Sequence, residues 1–332
     1  EQRALNAGLL RVTAAARVHM SGILVAAEQG DPAVLRLLVA AGDDVNARRA
    51  EDGATAAFVA AASADGHGCL EVLLGAGADA NRGTTGKFVF GDDPDVDFLG
   101  PGATPLHVAA IKGMCRAVEL LLGANAAVDQ ARENGVTPLH IACQEGQLEC
   151  VQLLLEASAA VNQARNTGVT PLLMACFNGH LEVAKLLSSY GASRAATPFG
   201  TPEEVATEEG HADLAAWLVA SRGWTPLAHL ETLTAARALS LLRSGASLHE
   251  GEPTPLQRAA GGAREAAALI RRAAAPWSPA SHSLFPAAAR ARAAFLVRSI
   301  YEIHDGQLDR PNGIAARDFS ACVLRFAISR ET

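Results

Sequence analysis

Residues 104–107 read Thr-Pro-Leu-His, residues 137–140 repeat the same four residues, and residues 170–173 read Thr-Pro-Leu-Leu. The copies are 33 residues apart, and each is followed by small residues, a glycine and a Leu-Leu pair. A fixed period of this size is typical of a solenoid, in which each unit buries its apolar face against the next. The sequence therefore predicts an array of stacked helical repeats.

Each position of the motif has a physical reason. The threonine is a suitable helix N-cap, and the proline fits the first helical turn, where its missing N–H removes no hydrogen bond. Glycines that follow the first helix, Gly113, Gly146 and Gly179, suit the left-handed backbone that ends a helix. The histidines of the motif, His107 and His140, are expected to bond the neighbouring hairpin rather than to act as bases.

The pattern resembles the ankyrin repeat over roughly residues 17–275, and most closely over residues 102–129, 135–162 and 168–193. Weaker copies include Gly42 to Asn46 and the Thr-Pro pairs at residues 201, 225 and 254. The resemblance implies an all-α solenoid of helix-turn-helix units with hairpin-like loops and a helical C-terminal cap. It also implies a non-enzymatic protein that binds another protein on the concave face of the array.

The repeats divide the chain into predicted regions. We expect an N-terminal capping helix at 1–20, about six ankyrin repeats at 21–221 with a 16-residue insertion within 82–101, degenerate Arg-rich repeats at 222–275, a C-terminal helical cap at 276–300, and a tail of unassigned role at 301–332.

Composition narrows the function classes. With 49% hydrophobic and 19% charged residues the chain is expected to fold, and its longest uncharged apolar run, residues 54–64, is too short to span a membrane. Residues 1–221 hold 26 acidic against 14 basic residues, a poor surface for phosphates, whereas residues 222–300 have a net charge of +6, all of it from arginine. We expect a monomer that binds neither nucleic acid nor membrane.

The six cysteines form no Cys-x-x-Cys pair, so reduced thiols and an intracellular protein, cytoplasmic or nuclear, are expected. Because the chain begins at Glu1 rather than Met, it is expected to be a fragment. Phosphate-loop, zinc-protease, serine-hydrolase and dinucleotide fingerprints are absent from the sequence. We therefore predict no enzyme activity, no catalytic residue, no cofactor and no metal.

Positions that packing within a repeat does not determine are the candidate contacts to a partner. They comprise Ile111, Lys112, Arg132, Glu133, Asn134, Val136, Gln144, Glu145, Arg165, Asn166, Thr167, Val169, Phe177 and Asn178. Phe177 is either a binding hot spot or packs on Phe199. Arg132 and Arg165, 33 residues apart, either form a ladder of donors for carboxylates or brace the hairpins.

The insertion within 82–101 combines Phe88 and Phe90 with Asp93 and Asp95. A calcium loop would need glycine where Phe98 stands, so the insertion is predicted to be an acidic surface loop or a finger that contacts the partner. The resemblance also suggests hydroxylation of Asn46, whose preceding residues Asp44 and Val45 fit the pattern modified in ankyrin proteins.

Two alternative functions remain open. Some ankyrin proteins recruit a ubiquitin ligase through a C-terminal box, typically a leucine with a cysteine four residues later. Here Leu284 is followed at that spacing by Ala288, and Cys322 is preceded by Asp318. The alternatives are thus a substrate adaptor of a ubiquitin-ligase complex and the interaction part of a larger enzyme.

Overall fold

The computed structural model describes residues 22–89, 98–275, 281–291 and 293. Contacts divide the chain into two compact units, a larger one up to residue 187 together with 192–216, and a smaller one formed by 188–191 and the residues from 217 onward. The predicted capping helix at 1–20 and the tail at 301–332 lie outside the described residues.

Helix pairs make up most of the described residues from 22 to 220. The twelve helices are α1 Gly22–Glu28, α2 Pro32–Ala40, α3 Ala56–Ala62, α4 His67–Gly75, α5 Pro105–Lys112, α6 Cys115–Gly123, α7 Pro138–Gln144, α8 Leu148–Glu156, α9 Pro171–Phe177, α10 Leu181–Ser189, α11 Pro202–Glu208 and α12 Ala212–Ala220. The odd-numbered helices α1 to α11 are the first helices of the pairs, and in the larger unit each of them packs on the next first helix. The second helices α2, α4, α6 and α8 pack on one another in a second layer. This confirms the predicted all-α repeat solenoid.

The threonines start the first helices as predicted. Thr137 caps α7 by accepting a hydrogen bond from the backbone N–H of His140, and Pro138 occupies the first turn. Thr170 caps α9 in the same way. Gly146 lies two residues after the end of α7 and has a φ of 68°, the left-handed conformation expected for it. The first helices α7 and α9 thus begin where local chemistry dictates.

The core lies between the two helix layers. Leu106, Leu139 and Leu172 occupy the same place in successive first helices and are 0% exposed. Small residues beside them, such as Ala142 and Ala175, are also 0% exposed and allow neighbouring first helices to approach closely. The close packing holds the loops between repeats at a regular spacing.

The base of the insertion is a two-stranded antiparallel ribbon. Strand β1, Phe88–Val89, pairs with β2, Phe98–Leu99. Thr84 closes the ribbon at its foot, since its N–H donates to the carbonyl oxygen of Ala103 at 2.9 Å. The side chain of Leu99 is 1% exposed, which anchors the returning strand in the larger unit.

The smaller unit is built from α13 Ala235–Arg243, α14 Pro255–Ala259 and α15 Glu265–Ala274, with 3₁₀ turns at Pro226–Ala228 and His282–Leu284. The turn at Pro226–Ala228 stands where a full first helix would follow the Thr-Pro pair. Helix α15 packs on both α13 and α14.

Aromatic and charged groups reinforce the smaller unit. The guanidinium carbon of Arg258 lies 3.4 Å from the ring centroid of Trp224, and its Nη2 donates to Glu231 at 3.0 Å. Trp217 meets the same indole edge to face, with ring centroids 6.2 Å apart. This cation–π cluster stabilises a region in which the repeat motif has degenerated.

No helix within the described residues is long and apolar enough to cross a membrane.

Candidate functional site

Two buried histidines link first helices to the hairpins that follow them. His107 is 0% exposed, and its Nδ1 accepts a hydrogen bond from the backbone N–H of Thr104 at 3.1 Å. Its Nε2 therefore carries the proton and donates to the carbonyl oxygen of Val136 at 3.0 Å. His140 repeats the arrangement one unit later, with Nε2 3.2 Å from the carbonyl oxygen of Val169. The predicted bond to the neighbouring hairpin is confirmed.

Burial decides the protonation of both imidazoles. Loss of hydration lowers the pKa of His107 to about 3 and that of His140 to about 4. Each ring is therefore neutral at neutral pH and has both nitrogens engaged in hydrogen bonds. Because neither ring offers a free nitrogen to a substrate, the two histidines are structural groups.

Neighbouring hairpins are also bonded directly to each other. The backbone N–H of Asn166 donates to the carbonyl oxygen of Asn134 at 3.1 Å. The side-chain amide of Asn166 donates to the carbonyl oxygen of Glu133 at 2.9 Å. Within its own hairpin, Asn134 accepts a bond from the N–H of Val136 through Oδ1. These bonds make the loops a fixed surface.

We call this surface the hairpin face; it consists of the hairpins at 132–136 and 165–169 with the exposed sides of α5, α7 and α9. Besides Arg132, Arg165 and Phe177, nine predicted contact residues are half-buried or exposed on it: Ile111, Lys112, Glu133, Asn134, Gln144, Glu145, Asn166, Thr167 and Asn178.

The prediction that Val136 and Val169 are free surface positions is wrong. Their side chains are 8% and 5% exposed. Each valine directly precedes the threonine that caps a first helix, and its carbonyl oxygen accepts the histidine bond, so the chain enters the core at this point. Val136 is therefore not available to a partner, and Val169 exposes only a small part of its surface, which faces the cavity described below.

The two arginines of the expected ladder have different surroundings. Arg132 is half-buried, and its Nη2 lies 2.7 Å from the point that a Cβ on Gly100 would occupy. Its guanidinium is therefore packed against the base of the insertion, and burial lowers its pKa. Arg165 bonds Thr167 Oγ1 through Nε at 2.8 Å and lies at the edge of a cavity.

That cavity has a volume of about 300 Å³ and lies in the larger unit, between the fifth and sixth helix pairs. Residues of two hairpins and two first helices line it: Arg165, Val169, Leu173, Met174, Phe177, Phe199, Val205, Glu208 and Glu209. Phe177 and Phe199 are 52% and 53% exposed. We call it the Phe177–Phe199 cavity.

The cavity bears on the choice between the two roles considered for Phe177. Both phenylalanines line one cavity, yet each keeps more than half of its surface in water. An aromatic side chain that merely filled a gap would be buried, since burial of apolar surface is favourable. An exposed aromatic pair is instead the kind of patch that marks a binding surface.

Phe199, Glu208 and Glu209 were not among the predicted contact residues. A signal for Glu208 was present, since it stands seven residues after Thr201, just as Phe177 stands seven after Thr170. Phe199 had no such signal, because the turn at 197–200 departs from the repeat pattern. The sequence suggested Phe199 only as a packing partner of Phe177, and the structure shows that both side chains line one cavity.

The insertion contributes less than expected to the described surface. Phe88 lies in β1, and the ribbon sets the insertion beside Arg132 through Gly100. Phe90, Asp93 and Asp95 lie outside the described residues. A role of the insertion in binding therefore stays a prediction.

A second series of bonds joins hairpin tips through asparagine and aspartate side chains. Asn46 Oδ1 accepts from the N–H of Asp79 at 2.8 Å, and Asn81 Oδ1 accepts from Ala127 at 2.7 Å. Asp129 continues the series in the next repeat. Hydroxylation of Asn46 stays a prediction, at a residue that already links two hairpins.

The described thiols are poor nucleophiles. Burial raises the pKa of Cys176 to about 12 and that of Cys69 to about 11, and it raises the pKa of Cys143 well above its usual value. Cys115 and Cys150 lie with their sulfur atoms 3.5 Å apart.

In the described part of the chain no group of His, Cys, Asp and Glu side chains is placed to hold a metal ion.

A family model described as ankyrin repeats matches the chain with three copies, over residues 84–165 and 106–198. The matched stretches cover the ribbon and the hairpins with buried histidines. They end at Pro198, next to the second phenylalanine of the cavity. Comparison with curated proteins finds none that matches the chain.

Proposed function

This chain is an ankyrin-repeat protein, and on that premise we propose that it is a non-enzymatic scaffold that binds a partner protein on its hairpin face. The observation that carries the proposal is the pair of half-exposed phenylalanines in an open cavity on a surface whose own backbone is hydrogen-bonded. Rigid loops limit the entropy lost on binding, and exposed aromatic side chains supply the apolar contact.

The chemistry of the face favours binding over catalysis. Its buried histidines are neutral and fully bonded, and the pKa values of its buried cysteines are raised. Activation of a nucleophile needs the opposite shift. We propose a protein partner rather than a nucleic acid, because residues 1–221 carry 26 acidic against 14 basic residues.

Burial of Cys143 and Cys176 as small apolar side chains suits a reducing compartment, so we propose the cytoplasm or the nucleus as the location. The ubiquitin-ligase alternative gains no support from the smaller unit, where Leu284 is 1% exposed in the apolar core. A leucine in that position is not available to recruit a second protein.

Affinity capture tests the proposal. The full chain is compared with the variant Glu133→Lys, Phe177→Ala, Asn178→Lys, all three substitutions being at exposed positions of the hairpin face. We expect the specific partner to be lost, because truncation of a hot-spot aromatic typically costs about 2 kcal/mol or more of binding energy. Quantitative mass spectrometry of the captured proteins measures the loss.

The matched control changes the second helix layer. In α8, Gln152 and Glu156 are replaced by alanine, which leaves the hairpin face untouched. Both variants must keep the wild-type circular dichroism and thermal midpoint. A partner that binds both variants equally well would exclude the hairpin face as the binding surface.

A further inference from the structure

We propose that the Phe177–Phe199 cavity takes a linear peptide segment in which an apolar side chain is followed or preceded closely by lysine or arginine. The apolar side chain enters between the two phenylalanines, and the basic side chain pairs with Glu208 and Glu209 at the rim. The inference rests on the proposed function, since it specifies the chemistry of the partner.

The aromatic walls are held in place before any ligand binds. Phe177 ends α9, and its carbonyl oxygen accepts a hydrogen bond from His211 Nε2 at 3.1 Å. Phe199 lies in a tight turn in which the backbones of Thr197 and Gly200 exchange two hydrogen bonds, of 3.0 and 3.1 Å. The N–H of Phe199 also donates to Thr197 Oγ1. Because the backbone is held at both phenylalanines, little backbone conformational entropy is lost when a ligand covers them.

The charge at the rim has one dominant sign. Glu208 and Glu209 line the cavity, are exposed, and form no ion pair within the described residues. Between residues 195 and 221 the sequence has five acidic residues and no lysine or arginine. Arg165 also lines the cavity and adds one positive charge. A ligand with a basic group on the Glu208 side meets complementary charge.

The size of the cavity selects the kind of ligand. A volume of about 300 Å³ is at the lower end of the range of small-molecule sites, which is roughly 300–1,000 Å³. The floor is apolar, formed by Leu173, Met174 and Val205. Such a cavity accepts one or two side chains of a longer chain, which is how peptide segments use anchor residues.

A linear peptide is favoured over the other occupants on grounds of charge. A second copy of this chain would bring a further net charge of −7, and its corresponding unit is also acidic. Nucleic acid would place phosphates against Glu208 and Glu209. Both alternatives are repelled by the rim that attracts a basic peptide.

Selection from a random library of twelve-residue peptides displayed on phage, with the full chain as bait, tests the inference. We expect the enriched peptides to share an aliphatic or aromatic residue within three positions of lysine or arginine. A synthetic peptide of the enriched sequence is then titrated by fluorescence anisotropy. Enrichment without a basic residue, or no enrichment at all, overturns the inference.

Two variants connect the peptide to the cavity. Phe199→Ala is expected to lower the affinity for the synthetic peptide roughly thirtyfold, as loss of a hot-spot aromatic side chain does. The double variant Glu208→Lys, Glu209→Lys is expected to weaken peptide binding at least tenfold and to reverse its salt dependence, because salt then screens a repulsion instead of an attraction. The control, Glu149→Lys with Glu156→Lys in α8, changes net charge by the same amount on exposed residues away from the cavity. Equal weakening by both charge variants would overturn the inference.

The outcomes separate this inference from the proposed function. If peptide binding is unchanged in Phe199→Ala but is lost in Glu133→Lys, the hairpin face binds its partner outside the Phe177–Phe199 cavity and only the inference fails. If sedimentation velocity shows a dimer that Phe199→Ala dissociates, the occupant is a second copy and the inference is overturned. Unchanged protein capture by the Glu133→Lys, Phe177→Ala, Asn178→Lys variant, with peptide binding still weakened by Phe199→Ala, would reject only the broader hairpin-face proposal.

Discussion

The free energy of unfolding is expected to fall by about 4 kcal/mol when the pH is lowered from 7 to 5. The cause is the pair of buried imidazoles, since burial lowers the pKa of His107 to about 3 and that of His140 to about 4. In the unfolded chain both rings titrate near their ordinary value of about 6.5. Between these values the unfolded state binds protons that the folded state excludes, so acid stabilises the unfolded state. Urea denaturation at a series of pH values measures the slope.

The control replaces both histidines by glutamine. Thr254 is capped by Gln257, whose Oε1 accepts the N–H of Thr254 at 2.8 Å, so glutamine can serve this capping position in the chain itself. The double variant is expected to be less stable at pH 7 because the carbonyl oxygens of Val136 and Val169 lose their donors. Its stability is expected to change far less from pH 7 to pH 5. An undiminished slope would show that other groups carry the acid sensitivity.

Gly135→Ala is expected to destabilise the fold by about 4 kcal/mol. Gly135 has a φ of 81°, a conformation that costs energy for any residue with a side chain. A Cβ at this position would also lie 2.7 Å from the backbone nitrogen of Asn166. That nitrogen donates the bond to Asn134 that joins the two hairpins, so the added methyl group would push the hairpins apart.

Gly77→Ala provides the matched comparison. Gly77 has a φ of 87°, but a Cβ there would meet nothing within 4 Å. It therefore carries the backbone strain without the collision, and a cost of about 2 kcal/mol is expected. The two variants are compared by urea denaturation at one pH. Equal destabilisation by the two substitutions would show that Asn166 moves away from the added methyl group at no cost in stability. Contact between hairpins would then not determine their spacing.

These two results bear on binding because the hairpin face depends on the same contacts. The histidine bonds hold Val136 and Val169, and the second of these valines lines the Phe177–Phe199 cavity. Loss of hairpin spacing would move Arg165 and Val169 relative to the phenylalanines. A chain that stays folded but loses the bonds between hairpins is therefore expected to bind its partner more weakly.

Local chemistry explains why much of the fold was predictable. Thr137 and Pro138 define the start of a helix without reference to the rest of the chain, and Gly146 defines the end of a turn. Because the same signals return every 33 residues, stacking follows from the need of each unit to bury its apolar face. The structural role of His107 could be predicted for the same reason, since its place in the motif is constant.

The surface was less predictable because exposure depends on neighbours that are distant in the sequence. Val136 and Val169 occupy loop positions, yet the chain turns into the core there and buries them. Arg132 and Arg165 hold equivalent places, but the insertion covers only the first through Gly100. Register alone does not distinguish the two arginines.

The sequence by itself determined the repeat architecture, the starts of first helices such as α7 and α9, and the structural role of the histidines, because these depend on interactions within one repeat or between identical neighbours. Only the tertiary structure decided where the candidate site lies. The Phe177–Phe199 cavity joins residues of two helix pairs through an irregular turn at 197–200, and Glu208 and Glu209 reach its rim from a third segment. Such a site arises from packing between non-identical repeats, where the periodic pattern locates Phe177 and Glu208 but not Phe199.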